Sequence, residues 1–217
     1  MKMANEYAMT SKDYCAAMIA MVWSMKGTYY KDTYPLNCLY YWGDGKWSAD
    51  CNNLIKASIW GKCELPKTKG KYIYEPGKYG LGDITCKAMI DACADVSTDF
   101  SKLTPGELLY IHDTVDHVGL YVGDYVVDGK TFNVIEASPI WYSGIQSTYV
   151  DAKGRRIRPK TGEQRGAWQK HGKMPWIDYE EGDKEVPLKY TIKYDKNKTT
   201  IDVTEGKGTI TITSQIK

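Results

Sequence analysis

The sequence predicts a mixed α and β fold, with helices gathered in the first half of the chain, antiparallel strands in the second, and a small strand-rich appendage at the C-terminal end. Three observations lead there. The segments at 14–23 and 49–61 read as helices. Those at 107–112, 117–123 and 132–137 read as strands of the main body. The composition, 217 residues with 42% hydrophobic and 26% charged side chains, is that of a chain able to bury a sizeable core.

The first helix is expected over Tyr14–Trp23, rich in Ala and Met, with Thr10-Ser11-Lys12-Asp13 supplying a hydroxyl cap and Gly27 ending it. A turn-rich aromatic segment follows from Tyr29 to Trp47, punctuated by Pro35, Gly43 and Gly45. A second helix then runs from Cys51, with Asp50 as N-cap and Gly61 just past the end. Cys51, Leu54, Ile55, Ser58 and Ile59 share one face. Residues 64–82 read as a surface loop able to rim a site, and residues 83–95 as a further helix.

Leu103-Thr104-Pro105-Gly106 turns the chain into a strand at 107–112. From His117 to Gly123 the pattern alternates, with Val118, Leu120 and Val122 on one face and His117, Gly119 and Tyr121 on the other. The next strand is Phe132–Ala137. Residues 151–173 carry eight Lys or Arg against Asp151 and Glu163 and read as a solvated surface loop. After an acidic hinge at 180–183 the texture changes to Thr, Ile, Val and Lys, predicting a three-stranded meander at 189–194, 199–204 and 209–213. The expected division is therefore a main domain at 1–179 and an appendage at 180–217.

The formal net charge is +2. With no basic recognition helix, a nucleic-acid partner is not expected. The longest apolar stretch, Ala16–Trp23, is too short to span a bilayer, and no secretory leader is recognised, so no membrane partner or self-encoded export is expected. Oligomeric state is left open. Six cysteines, at 15, 38, 51, 63, 86 and 93, contain no CxxC pair and have no clustered histidine, so neither a metal site nor a cofactor is expected.

Cysteine chemistry needs a thiol held as thiolate, an imidazole within reach, and a polar group orienting that imidazole. Cys51 follows a capping residue in the first turn of its helix. There the macrodipole and free N–H groups favour a thiolate and can hold an oxyanion. Cys15, Cys86 and Cys93 are read as buried thiols. The base must be His112, His117 or His171, and His117 is placed best, at a strand start opposite the apolar face. Glu136 lies between Ile135 and Ala137, where a carboxylate needs a charged partner. His112 reads as an exposed strand-end residue and His171 as a loop residue.

Tyr40-Tyr41-Trp42-Gly43, Ala49-Asp50-Cys51-Asn52-Asn53-Leu54-Ile55, Pro105-Gly106-Glu107-Leu108-Leu109-Tyr110, Asp116-His117-Val118-Gly119-Leu120-Tyr121-Val122-Gly123 and Val134-Ile135-Glu136-Ala137-Ser138 occur in the order found in NlpC-type, papain-like cell-wall peptidases. The stretch from about 40 to 138 resembles that family. The resemblance implies a papain-like α+β domain in which the nucleophile helix packs on an antiparallel sheet. It also implies Cys51 as nucleophile, His117 as base, Glu136 as third residue, and Tyr40 as a substrate contact near the oxyanion. Tyr41, Trp42, Asp50 and Trp141 join Tyr40 as expected substrate-binding residues. Two departures stand out: Asn52-Asn53 replaces the family's usual Ser-Gly, and Glu136 is closer to the related CHAP amidases and endopeptidases.

The implied activity is hydrolysis of an amide bond in bacterial peptidoglycan, in the manner of a phage endolysin made in the cytoplasm and released to the wall. An amide hydrolase or acyltransferase acting on another substrate, or a catalytically silent binding module, is the alternative. Which wall bond is cut is not legible.

Strand register supplies an internal test. A two-residue Asp128-Gly129 turn would set Glu136 opposite Tyr121, four residues and roughly 13 Å from His117. A longer loop over 124–129 would set it opposite His117, and this is the expected arrangement. A tight turn without a compensating bulge would count against Glu136. The aromatic balance, 18 Tyr and 7 Trp against 2 Phe, concentrates hydrogen-bonding rings just before Cys51, as a groove for a polar peptide would.

Overall fold

The computed structural model describes residues 7–112 and 116–179, together with the backbone of strands at 190–195 and 198–203. The fold of these residues is mixed α and β, with three α-helices against a mostly antiparallel sheet.

A two-residue strand β1 (Met9–Thr10) leads into helix α1 (Ser11–Ser24), where the Thr10 hydroxyl accepts from the Asp13 N–H at 3.1 Å. Its apolar side chains Tyr14, Met18 and Ile19 are wholly buried. The aromatic segment expected to be turns instead builds a small sheet. Strands β2 (Gly27–Tyr30) and β3 (Tyr40–Gly43) flank β4 (Lys46–Ala49), β2 in parallel and β3 antiparallel. Its tyrosines and tryptophans are good strand formers, and Gly43 and Gly45 take left-handed conformations at the β3–β4 turn.

Helix α2 (Cys51–Trp60) starts where expected. The Asp50 carboxylate accepts from the Asn53 N–H at 2.6 Å, and Leu54, Ile55, Ile59 and Trp60 anchor the helix in the core. Gly61 ends it, but not in the left-handed conformation: its φ is −91°, and Lys62 and Cys63 adopt positive φ instead. The position is tight, since a Cβ would lie 2.8 Å from Ile73 Cδ1 and 3.2 Å from the Ala57 carbonyl oxygen. Helix α3 (Cys86–Ala92) is shorter than the predicted 83–95. Thr85 caps it through the Ala88 N–H, and the chain then extends into strand β5 (Ala94–Ser97).

The main sheet contains β5, β6 (Leu108–Ile111), β7 (His117–Val127), β8 (Lys130–Ser138), β9 (Gly144–Val150), β10 (Arg155–Arg158), β11 (Glu163–Ala167) and β12 (Lys170–Lys173). Their order across the sheet is β11-β10-β9-β8-β7-β6-β12-β5, with antiparallel neighbours. Strand β13 (Ile177–Asp178) pairs in parallel with β1. One face of the main sheet presents Val118, Leu120, Ile135 and Ala137 to α1 and α2; the other packs Leu109, Val134 and Val150 around Trp168 and Phe100.

Residues 151–173 are therefore not a surface loop but three strands. The predicted loop failed because strands of four or five residues, made mostly of charged and polar residues and glycine, carry no apolar alternation to betray them. Strand β14 (Tyr190–Asp195) pairs antiparallel with β15 (Lys198–Val203) and, over Tyr190 and Thr191, in parallel with β7. The acidic segment at 180–183 and the expected strand at 209–213 lie outside the described residues. No helix among the described residues is long and apolar enough to cross a membrane.

The β7–β8 hairpin corrects the expected longer loop. Val127 pairs with Lys130 across a tight Asp128-Gly129 turn. A bulge follows between the pairs Tyr125–Phe132 and Tyr121–Val134, where three residues of β7 face Asn133 alone. Gly123 sits in the bulge with φ +78°, and Asn133 fastens it by donating to Asp124 and to the Val150 carbonyl, both at 3.0 Å. The bulge moves the register by two residues, so Glu136 falls opposite Gly119. Because the shift is even, Glu136 and His117 stay on the same face.

Candidate active site

Cys51 is the first residue of α2, 7% exposed, at the N-terminal end of β7. Its sulfur lies 3.8 Å from Cys86 Sγ, and it also hydrogen-bonds with the His117 ring and the Val118 N–H. The Cys86 thiol donates to it. That bond, with those from His117 and Val118, outweighs burial and brings the Cys51 thiol down to about 4. Cys86 is itself the first residue of α3, so two helix N-termini converge on the sulfur pair.

His117 Nε2 lies 2.6 Å from Glu136 Oε2, which leaves Nδ1 as the ring nitrogen available to Cys51. Burial alone would lower His117, but the bonds to Cys51 and Glu136 lift it to about 9. Glu136 is fully buried. Burial would raise its carboxyl, yet the Arg156 guanidinium, His117 and the Thr148 hydroxyl hold it at about 2. Oε2 is shared between His117 and the Arg156 guanidinium, and Oε1 accepts from Thr148 at 2.8 Å. The pairs are thus a thiolate with an imidazolium and a carboxylate with a guanidinium, so that each buried charge faces an opposite one.

Aromatic rings fix these groups in place. Trp168 stacks on His117 with centroids 5.4 Å apart and planes 17° from parallel. The Arg156 guanidinium lies between Trp168 and Trp141, at 5.1 and 5.5 Å from their ring centres. Gly119 makes the stacking possible, because a Cβ there would stand 2.8 Å from Trp168 Cη2. Arg156 and Trp168 come from the basic segment read as solvated loop, so sequence reasoning missed both. The remaining signal was slight: a single Arg-Arg-Ile-Arg run.

The expected substrate-binding residues separate. Tyr40 and Trp42 pack edge to face 5.2 Å apart, Tyr29 meets Trp42 at 6.1 Å, and Tyr40 stacks with Tyr72 from the 64–82 loop at 6.4 Å. These rings line the outer face of the small sheet, where a cavity of about 350 Å³ opens between Tyr29, Lys31, Trp42, Asp44 and Lys46. Tyr41, half-buried, points to the opposite face, where it packs against the core and stacks on Trp47 at 4.8 Å. Asp50 is likewise occupied. Its carboxylate accepts from the Asn53 N–H, the Asn53 amide and the Asn37 amide. Trp141 stands against Arg156.

Tyr30, half-buried on β2 and packed against the core, feels the nucleophile's charge. Burial, then the charges of Cys51 and Asp50, push its phenol upward. The Asn52-Asn53 departure also has a structural use. Asn53 completes the cap, and Asn52 donates to the Ile84 carbonyl at 2.6 Å. One turn on, buried Lys56 pairs with Asp83. Together these contacts deliver residues 83–86, and hence Cys86, to the nucleophile.

The other two histidines lie elsewhere. His112 is exposed and pairs with Asp116 at 2.6 Å. His171 is not a loop residue but buried in β12, 2.7 Å from Glu107, where it ties β12 to the turn entering β6. Comparison with protein-family models, curated proteins and solved structures found no match to this chain.

Proposed function

We propose that this chain is a papain-like cysteine peptidase or amidase that cleaves an amide bond of bacterial peptidoglycan. The observation that carries the chemical part is the linked set Cys51, His117 and Glu136, with the thiol at a helix N-terminus and the carboxylate backed by Arg156. The wall substrate rests on the ordered resemblance between residues 40 and 138 and the NlpC-type peptidases.

In this reading the Cys51 thiolate attacks the carbonyl carbon. The resulting oxyanion faces the Cys51 and Asn52 N–H groups, which in the first turn of α2 have no intrahelical acceptor. His117 gives its proton to the departing amine as the C–N bond breaks, leaving a thioester and a neutral imidazole. The imidazole then takes a proton from water, hydroxide attacks the thioester, and the acid departs with the thiolate and imidazolium restored. Glu136 holds the ring orientation and its charge throughout.

Purified walls incubated with the protein should release peptides or free amines detectable by mass spectrometry, and Cys51→Ala should abolish that release. Undiminished release by Cys51→Ala would exclude Cys51 as nucleophile. Absence of release from every wall type, with Cys51 still rapidly alkylated, would favour a non-wall amide substrate.

A further inference from the structure

Cys86 has no part in the acyl-transfer steps, yet its sulfur is 3.8 Å from the nucleophile and both are buried. We propose that Cys51 and Cys86 form an oxidative modification site, a reversible disulfide that caps the nucleophile in the presence of peroxide. The inference rests on the reactivity of Cys51, not on which substrate the enzyme cleaves.

Three features support it. Cys51 opens the ten-residue helix α2, whose positive end favours its thiolate, and Cys86 stands against it as a neutral thiol, pushed upward by its bond to Cys51 and by burial. The neighbourhood of Cys86 is held from two sides: by Asn52 on the Ile84 carbonyl and by Lys56 on Asp83, both from the helix that bears Cys51. The sulfurs therefore stay adjacent as a property of the fold. Forming a disulfide would bring the sulfurs from 3.8 Å to roughly 2.05 Å.

The other described cysteines differ. Cys15, Cys38, Cys63 and Cys93 lack the 3.8 Å contact with Cys51 that sets Cys86 apart as its partner, and burial pushes their own thiols upward, so none replaces Cys51 as the reactive thiolate.

The chemistry closes with one hydrogen peroxide. The Cys51 thiolate attacks a peroxide oxygen, the O–O bond breaks, and Cys51 becomes a sulfenic acid as hydroxide departs and is protonated to water. The Cys86 thiol then loses its proton as its sulfur attacks Cys51 Sγ, displacing the sulfenic oxygen as a second water. Two thiols are oxidised by two electrons and one peroxide is reduced to two waters. A dithiol such as dithiothreitol reverses the change by exchange.

The test uses the full chain, reduced, freed of reductant and exposed to hydrogen peroxide. Expected results are a mass loss of two hydrogens, a Cys51–Cys86 linked peptide after digestion, loss of Cys51 labelling by iodoacetamide, and full return of labelling with dithiothreitol. Cys86→Ser, a near-isosteric change, should instead leave Cys51 to progress to the sulfinic acid, with labelling that dithiothreitol does not restore. A linkage of Cys51 to another cysteine, or no linkage in the unmodified chain, would overturn the proposal, and this readout does not depend on the variant folding. Because labelling needs no wall substrate, failure here is distinguishable from failure of the hydrolase reading. Wall hydrolysis with no disulfide sinks only the switch, and a disulfide without hydrolysis sinks only the substrate.

Discussion

Glu136 stands across the sheet from Gly119, not from His117, and yet its Oε2 is 2.6 Å from His117 Nε2. The contact is diagonal, one same-face step along β7, a separation that long side chains bridge. Gly119 leaves the intervening position open, and Trp168 fills it. The two-residue bulge at Gly123 provides the register for this. A bulge of one residue would have turned Glu136 to the opposite face, and no bulge would have left it beside Tyr121.

The first prediction concerns pH. Cys51 ionises at about 4 and His117 loses its proton at about 9, so the ion pair spans the interval between. Alkylation of Cys51 by iodoacetamide should rise as pH passes through about 4, and hydrolysis should follow a bell with limbs near those two values. In stability the signs are opposite. The imidazolium contribution is complete below the ordinary value of 6.5 and is lost as pH rises through about 9. The thiolate contribution is complete above 9.0 and is lost as pH falls through about 4. A Cys51 labelling limb near 8 or 9 would refute the ion pair.

Arg156→Leu should be costly. It strips the guanidinium from a carboxylate that is fully buried, leaving His117 and Thr148 to hold it. A loss of about 3–5 kcal/mol in urea denaturation is expected. Arg156→Lys, which keeps a charge but not the fork, should lose less, and the Cys51 labelling limb should move upward in Arg156→Leu as His117 loses its orientation.

Gly119→Ala tests the stacking. The added methyl would meet Trp168 Cη2 at 2.8 Å and Cζ2 at 3.1 Å, so the indole must leave its place on His117. Overpacking of this kind costs about 1–3 kcal/mol. If the stack positions the base, kcat for hydrolysis should fall with little change in KM; equal kcat in a stably folded variant would refute that role.

Gly123→Ala probes the bulge. An L-residue at φ +78° is strained, and the new Cβ would stand 3.3 Å from Pro105 Cγ, so a destabilisation of about 1–2 kcal/mol is expected in the same urea measurement. No destabilisation would mean that the bulge relaxes freely.

The sequence by itself determined the local elements whose signals are local. Asp50 caps α2, and a hydroxyl within 10–13 caps α1, because a side-chain oxygen three residues before a free N–H suffices; that the hydroxyl is Thr10's and that α1 starts at Ser11 rather than Tyr14 came from the structure. Cys51 opens α2 for the same reason, and the alternation from His117 to Tyr121 marks a strand. The longer loop expected over 124–129 was wrong: the chain makes the tight Asp128-Gly129 turn and restores the site with a bulge, which was not legible because two extra residues in one strand are defined only against their partner. Arg156, Trp168 and Cys86 reach the site from segments read as a solvated loop or a buried helix. Their roles arise from pairing among β8, β9 and β10, from the Trp168 N–H bond to the Gly154 carbonyl and from the ties between α2 and residues 83–86, and the site contacts they make join positions 20 to 51 residues apart in the chain. Periodicity reports which face a residue takes; only the tertiary structure decides what stands opposite it.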